Sequence, residues 1–403
     1  MACRVPEISL PFRAPVYFSG KKPFALPLPN RYKRLRILVQ VNRAMRRKVV
    51  VSAVLLVVVL LFQFAMPGNY KLVHFYDYYI FKPWQTARNQ VLGLLRFSVG
   101  DWLYLIALIS LVVALGRALY FGIRFATHRW FLGNNLLNTF ITVTIIYLLF
   151  FIGWGGNYYK PRLQKVWDLE KIETPVITQL KEFDGFLVSQ LNVLAPHYRE
   201  MRFEEVDKAA VAEYQCCTDS RTSLKGLNAK PSLFGHLMQY FGIQGYYNPW
   251  TGEAQVNQHL PSFMLPFVTC HEMAHQSGIA SEEDANLLSY AICTRSGNPA
   301  FRYSGYFNLW LYTHGMLREE DSVAAKGFLD FLNPVSRAHR DTLRAIREQY
   351  RGETSAWSMA LYDSYLRLHD QKEGVKSYNR VALSAWAFEK KRKVFEGKEL
   401  HVP

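Results

Sequence analysis

Acidic side chains are almost missing from the first 155 residues of this 403-residue chain. Only Glu7, Asp77 and Asp101 occur there, against nineteen Lys and Arg. Twelve of those bases lie in residues 1–48, and residues 156–403 carry 29 charges of each sign. The formal charge of +16 therefore belongs wholly to the front of the chain. A nucleic-acid binder shows its excess as a basic patch on a folded domain. A basic flank beside apolar segments is instead what membrane orientation produces, so no nucleic-acid partner is expected. Cysteine is scarce too. Cys3, Cys216, Cys217, Cys270 and Cys293 are odd in number and contain no C-x-x-C pair, which excludes a zinc ribbon or a disulfide framework. A bridge from Cys216 to Cys217, or from Cys270 to Cys293 in an extracytoplasmic domain, stays open, because spacing alone does not set connectivity. Internal repeats are absent.

What the chain has in excess is long uncharged runs. Val49–Met66, Trp102–Gly116 (continued through Arg117 to Phe121) and Leu136–Trp154 fall within about 110 residues, edged by Trp102, Tyr120 and Trp154. A hydrocarbon core of about 30 Å needs about 20 apolar residues, so three transmembrane helices are expected. The bases from Arg31 to Lys48, with Arg117, Arg124 and Arg129 in the second connection, assign those sides to the cytoplasm. Three crossings then put everything after Gly155 outside. Lys71, Lys82, Arg88 and Arg96 run against this rule. The expected organisation is a basic cytoplasmic segment, 1–48, partly disordered; a membrane domain, 49–155; and an extracytoplasmic domain, 156–403. Met45, just before Arg46-Arg47-Lys48, is an alternative start.

After residue 156 the apolar spacing turns helical. Helices are expected over 175–195, 204–216, 231–242, 265–277, 282–294, 303–317, 320–331, 335–350, 356–369 and 376–394. GEAQVN, 252–257, alternates after Asn248-Pro249 and is expected as a strand. The fold class is mainly α with a small β-sheet.

One run carries chemistry: LPFVTCHEMAHQSGIASEEDAN, 265–286. Pro266 can open a helix and Gly278 can close it. His271 and His275, four apart, then share a face and can hold one ion. Imidazole suits Zn2+, and a catalytic zinc keeps a position open for water. Glu272 can reach that water as general base and pass its proton to a leaving amine. H-E-x-x-H on a helix is a metallopeptidase signature. A third protein ligand is needed, and Glu282, Glu283 and Asp284 are the candidates. Ser281 with Asp284 makes a capping box, and acids in a first helical turn also complement the helix dipole.

Glu282-x-x-Ala285-Asn286 resembles the E-x-x-A-D/N pattern of membrane-associated gluzincin peptidases, in which the glutamate is a ligand. Together with Trp154-Gly155-Gly156-Asn157-Tyr158, GYYNPWTGEAQVN at 245–257 and YDSYLRLHDQKEGVKSY at 362–378, the chain resembles an uncharacterised family of bacterial multi-pass membrane proteins with a predicted zinc-peptidase signature. The resemblance spans roughly residues 50–395. It implies three N-terminal spans in the bacterial cytoplasmic membrane and an outer, gluzincin-like, zincin-fold domain, with His271, His275 and Glu282 on zinc and Glu272 catalytic. Expected partners are the lipid bilayer and a peptide or protein substrate, in an oligomeric state left open.

In zincins an edge strand beside the metal helix pairs with an extended peptide, and Gly252–Asn257 is the candidate here, with Glu253 in contact with substrate or in a salt bridge. Tyr303 or Tyr306 can donate to an oxyanion. Arg337, His339 and Arg340 are either support for the site or a solvated face. The rival functions are a non-catalytic scaffold with a structural or degenerate metal site, for which Cys270 is the nearest fourth ligand, and an accessory to transport. Cleavage inside the membrane is not expected, because His271 lies more than 100 residues past the last span.

Overall fold

Uncharged apolar runs with no proline, and glycine only at their ends, favour helix throughout, and all three form one. A computed structural model describes residues 30–123, 125–172, 176–216, 224–350 and 377–392. Residues 1–51 and 52–403 form two compact units. The first, as far as it is described, is the leading part of helix α1 (Asn30–Ala65). Within α1, α4 (Val99–Ile123) and α5 (Phe125–Gly153), the stretches Ala44–Ala65, Val99–Arg117 and Asn135–Gly153 are long and apolar enough to cross a membrane. Leu61, Val112 and Leu149 stand exposed along them, as lipid-facing side chains do.

The connection between the first two spans is itself helical. It runs through α2 (Tyr70–Phe75), a π-helical stretch Tyr76–Phe81, and α3 (Lys82–Leu92). Asn69 starts it by accepting from the Leu72 N–H at 3.1 Å. Two of the bases that run against the orientation rule are engaged here. Lys82 pairs with Asp77 at 3.4 Å. Arg88 is buried, donating to the carbonyls of Pro249 and Gly153 and, in a short bond, to Gln85 Oε1.

Beyond the spans come α6 (Leu163–Val166), α7 (Ile177–Leu194), α8 (Phe203–Cys216), β1 (Ala229–Pro231), α9 (Gly235–Phe241), β2 (Gly245–Asn248) and β3 (Glu253–Val256). Then follow α10 (Leu265–Gln276), α11 (Glu282–Arg295), α12 (Pro299–Glu320), α13 (Ser322–Phe331), α14 (Pro334–Gln349) and a helix Ser377–Lys391. The helix expected over 356–369 lies outside the described residues. The fold is mainly α with one three-stranded sheet, as expected. α12 is longer than its apolar pattern because Asn298 caps it, accepting from the Ala300 N–H, and Pro299 occupies its first turn. The core is formed by α7, α10, α11 and α12 around Leu187, Tyr290, Phe307 and Trp310, all fully buried.

The strand order is β1-β3-β2, with β1 parallel and β2 antiparallel to β3. This corrects the expectation for Gly252–Asn257. Glu253–Val256 is the central strand, paired on both sides, and has no free edge for a peptide. A run of four buried residues, alternating in sequence, reflects cover on both faces: α10 lies on one side and the membrane-proximal segment on the other. The sheet is bolted to the second span. Glu253 accepts from the N–H groups of Val99 and Gly100 at 3.2 and 2.6 Å, and from Lys230 Nζ at 2.7 Å. A carboxylate from 150 residues away thus caps a helix whose own sequence supplies only Ser98, and α4 starts three residues before the expected Trp102. Asp101 adds a second bolt. Its Oδ2 accepts from the Leu233 N–H at 2.6 Å and from Ser232 Oγ at 3.2 Å, and its Oδ1 from the Tyr246 hydroxyl in a short bond.

Candidate metal centre

His271 and His275 sit one helical turn apart on α10, which is buried along nearly its whole length. The helix ends at Gly278, whose φ is +96°, and a Cβ at that residue would lie 2.4 Å from the Phe81 ring. Glycine is required both for the conformation and for the close approach. The reversal brings the Ile279 carbonyl to within 2.7 Å of His275 Nδ1. A carbonyl only accepts, so Nδ1 carries the proton and Nε2 presents a lone pair to the site. His275 Nε2 lies 3.1 Å from His271 Nε2.

Ser281 caps α11, its Oγ 3.4 Å from the Asp284 N–H, so Glu282 begins the helix and its side chain returns over α10. Glu282 Oε2 is 3.2 Å from His271 Nε2 and Oε1 is 3.5 Å from His275 Nε2. The neighbouring acids turn elsewhere. Glu283 accepts from Ser384 Oγ at 2.8 Å, and Asp284 from the Leu163 N–H at 3.0 Å. Among the described residues, His271, His275 and Glu282 are the one set of three such side chains whose ligand atoms all lie within 4.8 Å of one another.

These atoms fit a divalent ion. Ligands about 2.0–2.1 Å from a tetrahedral ion stand about 3.3 Å apart; the two imidazole nitrogens are 3.1 Å apart, and each has one Glu282 oxygen near it, Oε2 at 3.2 Å from His271 and Oε1 at 3.5 Å from His275. Two imidazole lone pairs and a carboxylate so close together need positive charge between them. Desolvation disfavours an imidazolium at His275, yet the Glu282 carboxylate, with Glu272 and the Ile279 carbonyl, pushes its pKa up to about 9. Burial likewise opposes charge on Glu282, but the two imidazoles hold it well below the usual carboxylate range. Without an ion the cluster binds a proton; a cation meets the same demand with three ligands at once.

Glu272 stands beside this set, 4% exposed. Burial pushes its pKa up to about 7, against the pull of His271 and His275. Its Oε2 is buried without a hydrogen-bond partner. Its Oε1 packs against Gly245, where a Cβ would come within 2.6 Å of it. Glu272 is therefore a carboxylate held near neutrality, with one oxygen free, against an edge strand.

That edge is β2. Asn257 N–H donates to the Gln244 carbonyl at 2.9 Å, and Gly245 lies opposite Val256. Bonded and non-bonded pairs alternate in antiparallel strands, so the main-chain groups of Gly245 and Tyr247 point away from β3. Around the cluster, Trp154 at the end of the third span meets the His275 ring edge-on at 6.4 Å and packs, tilted by 36°, against Tyr247 at 4.3 Å. The ligand helix thus rests on the end of a membrane-spanning helix, a proximity that distance along the sequence concealed.

The other candidates lie away from the cluster. Tyr303 hydrogen-bonds Ser336 Oγ at 3.0 Å and His339 Nδ1 at 2.8 Å, and Tyr306 packs edge-on against Phe186 and Tyr290. Arg337 donates to the carbonyls of Leu332 and Asp330, and Arg340 pairs with Asp341. Glu253 takes the salt-bridge alternative, with Lys230. Cys270 and Cys293 are buried free thiols, and Cys216 is an exposed one. Sequence reasoning missed Tyr312 on α12, whose hydroxyl is pushed up by burial and by the Glu282 charge. Its signal was the nine-residue step from Tyr303, which carries it to another part of the helix surface.

Neither the curated proteins nor the solved structures contain a match to this chain. The family model described as "Protein of unknown function (DUF3810)" matches residues 76–383, more than half of the sequence, a span that takes in both the sheet-to-span junction and the metal centre, and the chain belongs to that family.

Proposed function

We propose that this protein is a membrane-anchored zinc-dependent metallopeptidase that hydrolyses peptide bonds at the outer face of the bacterial cytoplasmic membrane. The observation that carries the reading is the convergence of His271, His275 and Glu282 at ligand spacing beside a buried Glu272 with a free oxygen. His271, His275 and Glu282 would hold the ion. Bound there, zinc would supply Lewis acidity toward water and a substrate carbonyl. Glu272, poised near neutral pH, accepts the proton of the attacking water and delivers it to the leaving amine. The outward main-chain groups of Gly245 and Tyr247 accept an extended substrate as an added strand, the part first assigned to Gly252–Asn257. Gly245 keeps that strand close to Glu272, because any side chain there would displace the carboxylate.

The outward orientation follows from the twelve bases of residues 1–48. The bonds of Lys82 and Arg88 within the protein account for two of the bases that oppose the rule. A closed structural site would need a fourth ligand. Cys270 is fully buried and lies against Cys293, away from the cluster.

The test uses the full chain purified in detergent, with metal counted by mass spectrometry and hydrolysis followed on a quenched-fluorescent peptide library. One zinc per chain, lost in His275→Ala and Glu282→Ala, together with activity lost in Glu272→Gln at unchanged zinc, is the expected result. Zinc retained with hydrolysis unaltered in Glu272→Gln removes the proposed base. No zinc in the wild-type protein removes the centre.

A further inference from the structure

Four large apolar side chains outside the spans are exposed within eleven residues: Leu233, Leu237, Tyr240 and Ile243, at 56, 54, 50 and 42%. Leu237 and Tyr240, three apart, share one face of α9, with Leu233 just before the helix and Ile243 just after it; the Tyr240 ring meets Tyr350 edge-on at 4.9 Å, while Leu233 and Leu237 stand clear. The opposite face is spoken for. Met238 is buried, and Gly235 packs so closely on Asn257 and His259 that a Cβ would come within 3.0 Å of both. An outward apolar face on a seven-residue helix at a domain surface gains nothing from water.

Its position identifies what covers it. The Leu233 N–H, two residues before α9, donates to Asp101 in the first turn of α4. Tyr246, five residues after α9 ends, bonds Asp101 and lies 6.1 Å from the ring of Tyr104. Both ends of the α9 segment are therefore tied to the first two turns of a helix whose apolar stretch begins at Val99. That stretch of 19 residues, at 1.5 Å per residue, is about as long as the hydrocarbon core is thick, so its first turns lie at the bilayer boundary. Trp102 and Trp84, about half exposed, stand at the same level as interfacial anchors do.

We propose that α9, with Leu233 and Ile243 at its ends, is an interfacial membrane element: its apolar face enters the bilayer beside the second span, continuing the lipid-facing surface of that helix. The open edge of β2, which follows within four residues, then lies at the bilayer surface. This inference does not depend on the metal centre and survives its failure.

The experiment places an environment-sensitive nitrobenzoxadiazole label at Leu237→Cys and, separately, at Leu233→Cys. The full chain carries Ser at Cys3, Cys216 and Cys217 and is held in phosphatidylcholine–phosphatidylglycerol nanodiscs. A blue-shifted emission, quenched at least twofold by nitroxide-bearing lipid and little affected by a water-soluble nitroxide, is the expected result. Quenching by the soluble nitroxide alone overturns the proposal by placing the face in water. A blue shift that neither quencher affects overturns it as well, since protein rather than lipid then covers the helix. Both sites are exposed, so labelling does not disturb the core; if one variant fails to fold, the other gives the same reading.

Discussion

Glu253 and Asp101, at the junction of sheet and span, and Glu272, at the candidate metal centre, are equally buried but differently treated; Glu282 is partly buried beside Glu272. Glu253 and Asp101 are 3 and 0% exposed, and every one of their four oxygens accepts a hydrogen bond. Glu272 is 4% exposed and keeps one oxygen without a partner, while Glu282 sits among imidazole nitrogens that each present a lone pair or need a proton. Leaving a buried polar atom unpaired costs about 1–3 kcal/mol, more for a charge. A fold that satisfies its carboxylates where they join two parts of the molecule, and leaves an oxygen of Glu272 short beside His271 and His275, separates the two roles. Satisfied acids hold structure, and unsatisfied ones wait for a ligand.

The comparison breaks most readily at Glu272. Glu272→Gln keeps the shape and removes the proposed base, so on the proposed function hydrolysis is expected to fall by about 10²–10⁴, the usual worth of a general base. Thermal unfolding in detergent should stay level or rise slightly, because the amide avoids desolvation of a charge. A similar loss of stability in this variant and in Glu253 variants would erase the distinction.

At Glu253 the effects exchange places. Glu253→Gln leaves Lys230, 2% exposed, without its counter-charge, and breaking a buried pair from one side costs about 3–5 kcal/mol. Unfolding temperature should drop sharply with zinc per chain unchanged. Glu253→Gln combined with Lys230→Met should recover much of the loss, since no lone charge remains; a double variant as weak as the single one means the helix cap, not the ion pair, dominates.

A smaller effect is expected where the two regions share a contact. Gly278→Ala forces an L-residue to φ +96° and drives a methyl into Phe81. The backbone strain alone is about 1–3 kcal/mol. Because this turn positions the Ile279 carbonyl for His275, zinc affinity should weaken together with stability, which metal titration and melting on one sample will show.

The smallest effect is a pH dependence. Asp207 accepts from the Ala229 N–H at 2.7 Å, and burial pushes its pKa from 3.8 up to about 6. A carboxyl with a folded pKa above its unfolded one contributes stability below about pH 4 and loses it as pH rises through 6, here by on the order of 2 kcal/mol. The melting difference between wild type and Asp207→Asn should change across that window and stay flat above it.

Much of the centre was legible along the chain. The four-residue spacing of His271 and His275, Gly278 as helix stop and Ser281 as cap are local signals, and the structure places both rings on α10, ends that helix at Gly278 and caps α11 with Ser281. The choice among Glu282, Glu283 and Asp284 was not local. It depends on what Ser384 and the Leu163 N–H, 101 and 121 residues away, take from the other two acids. The strand at Glu253–Val256 was visible from alternation, but its central place was not, because strand order is set by pairing with β1 and β2 rather than by its own composition.

The sequence by itself determined three apolar helices, a mainly α body after them, and two imidazoles on one helical face, since all of these follow from composition and from a period of 3.6 residues. Only the tertiary structure decided which acid completes the cluster, which strand has a free edge, and that the ligand helix rests on Trp154 at the end of a span. The first and last arise from contacts between residues 101 and 121 positions apart, and the strand order from pairings up to 25 apart, where the partner of a buried polar group is selected by satisfaction of hydrogen bonds across the fold rather than by its neighbours in the chain.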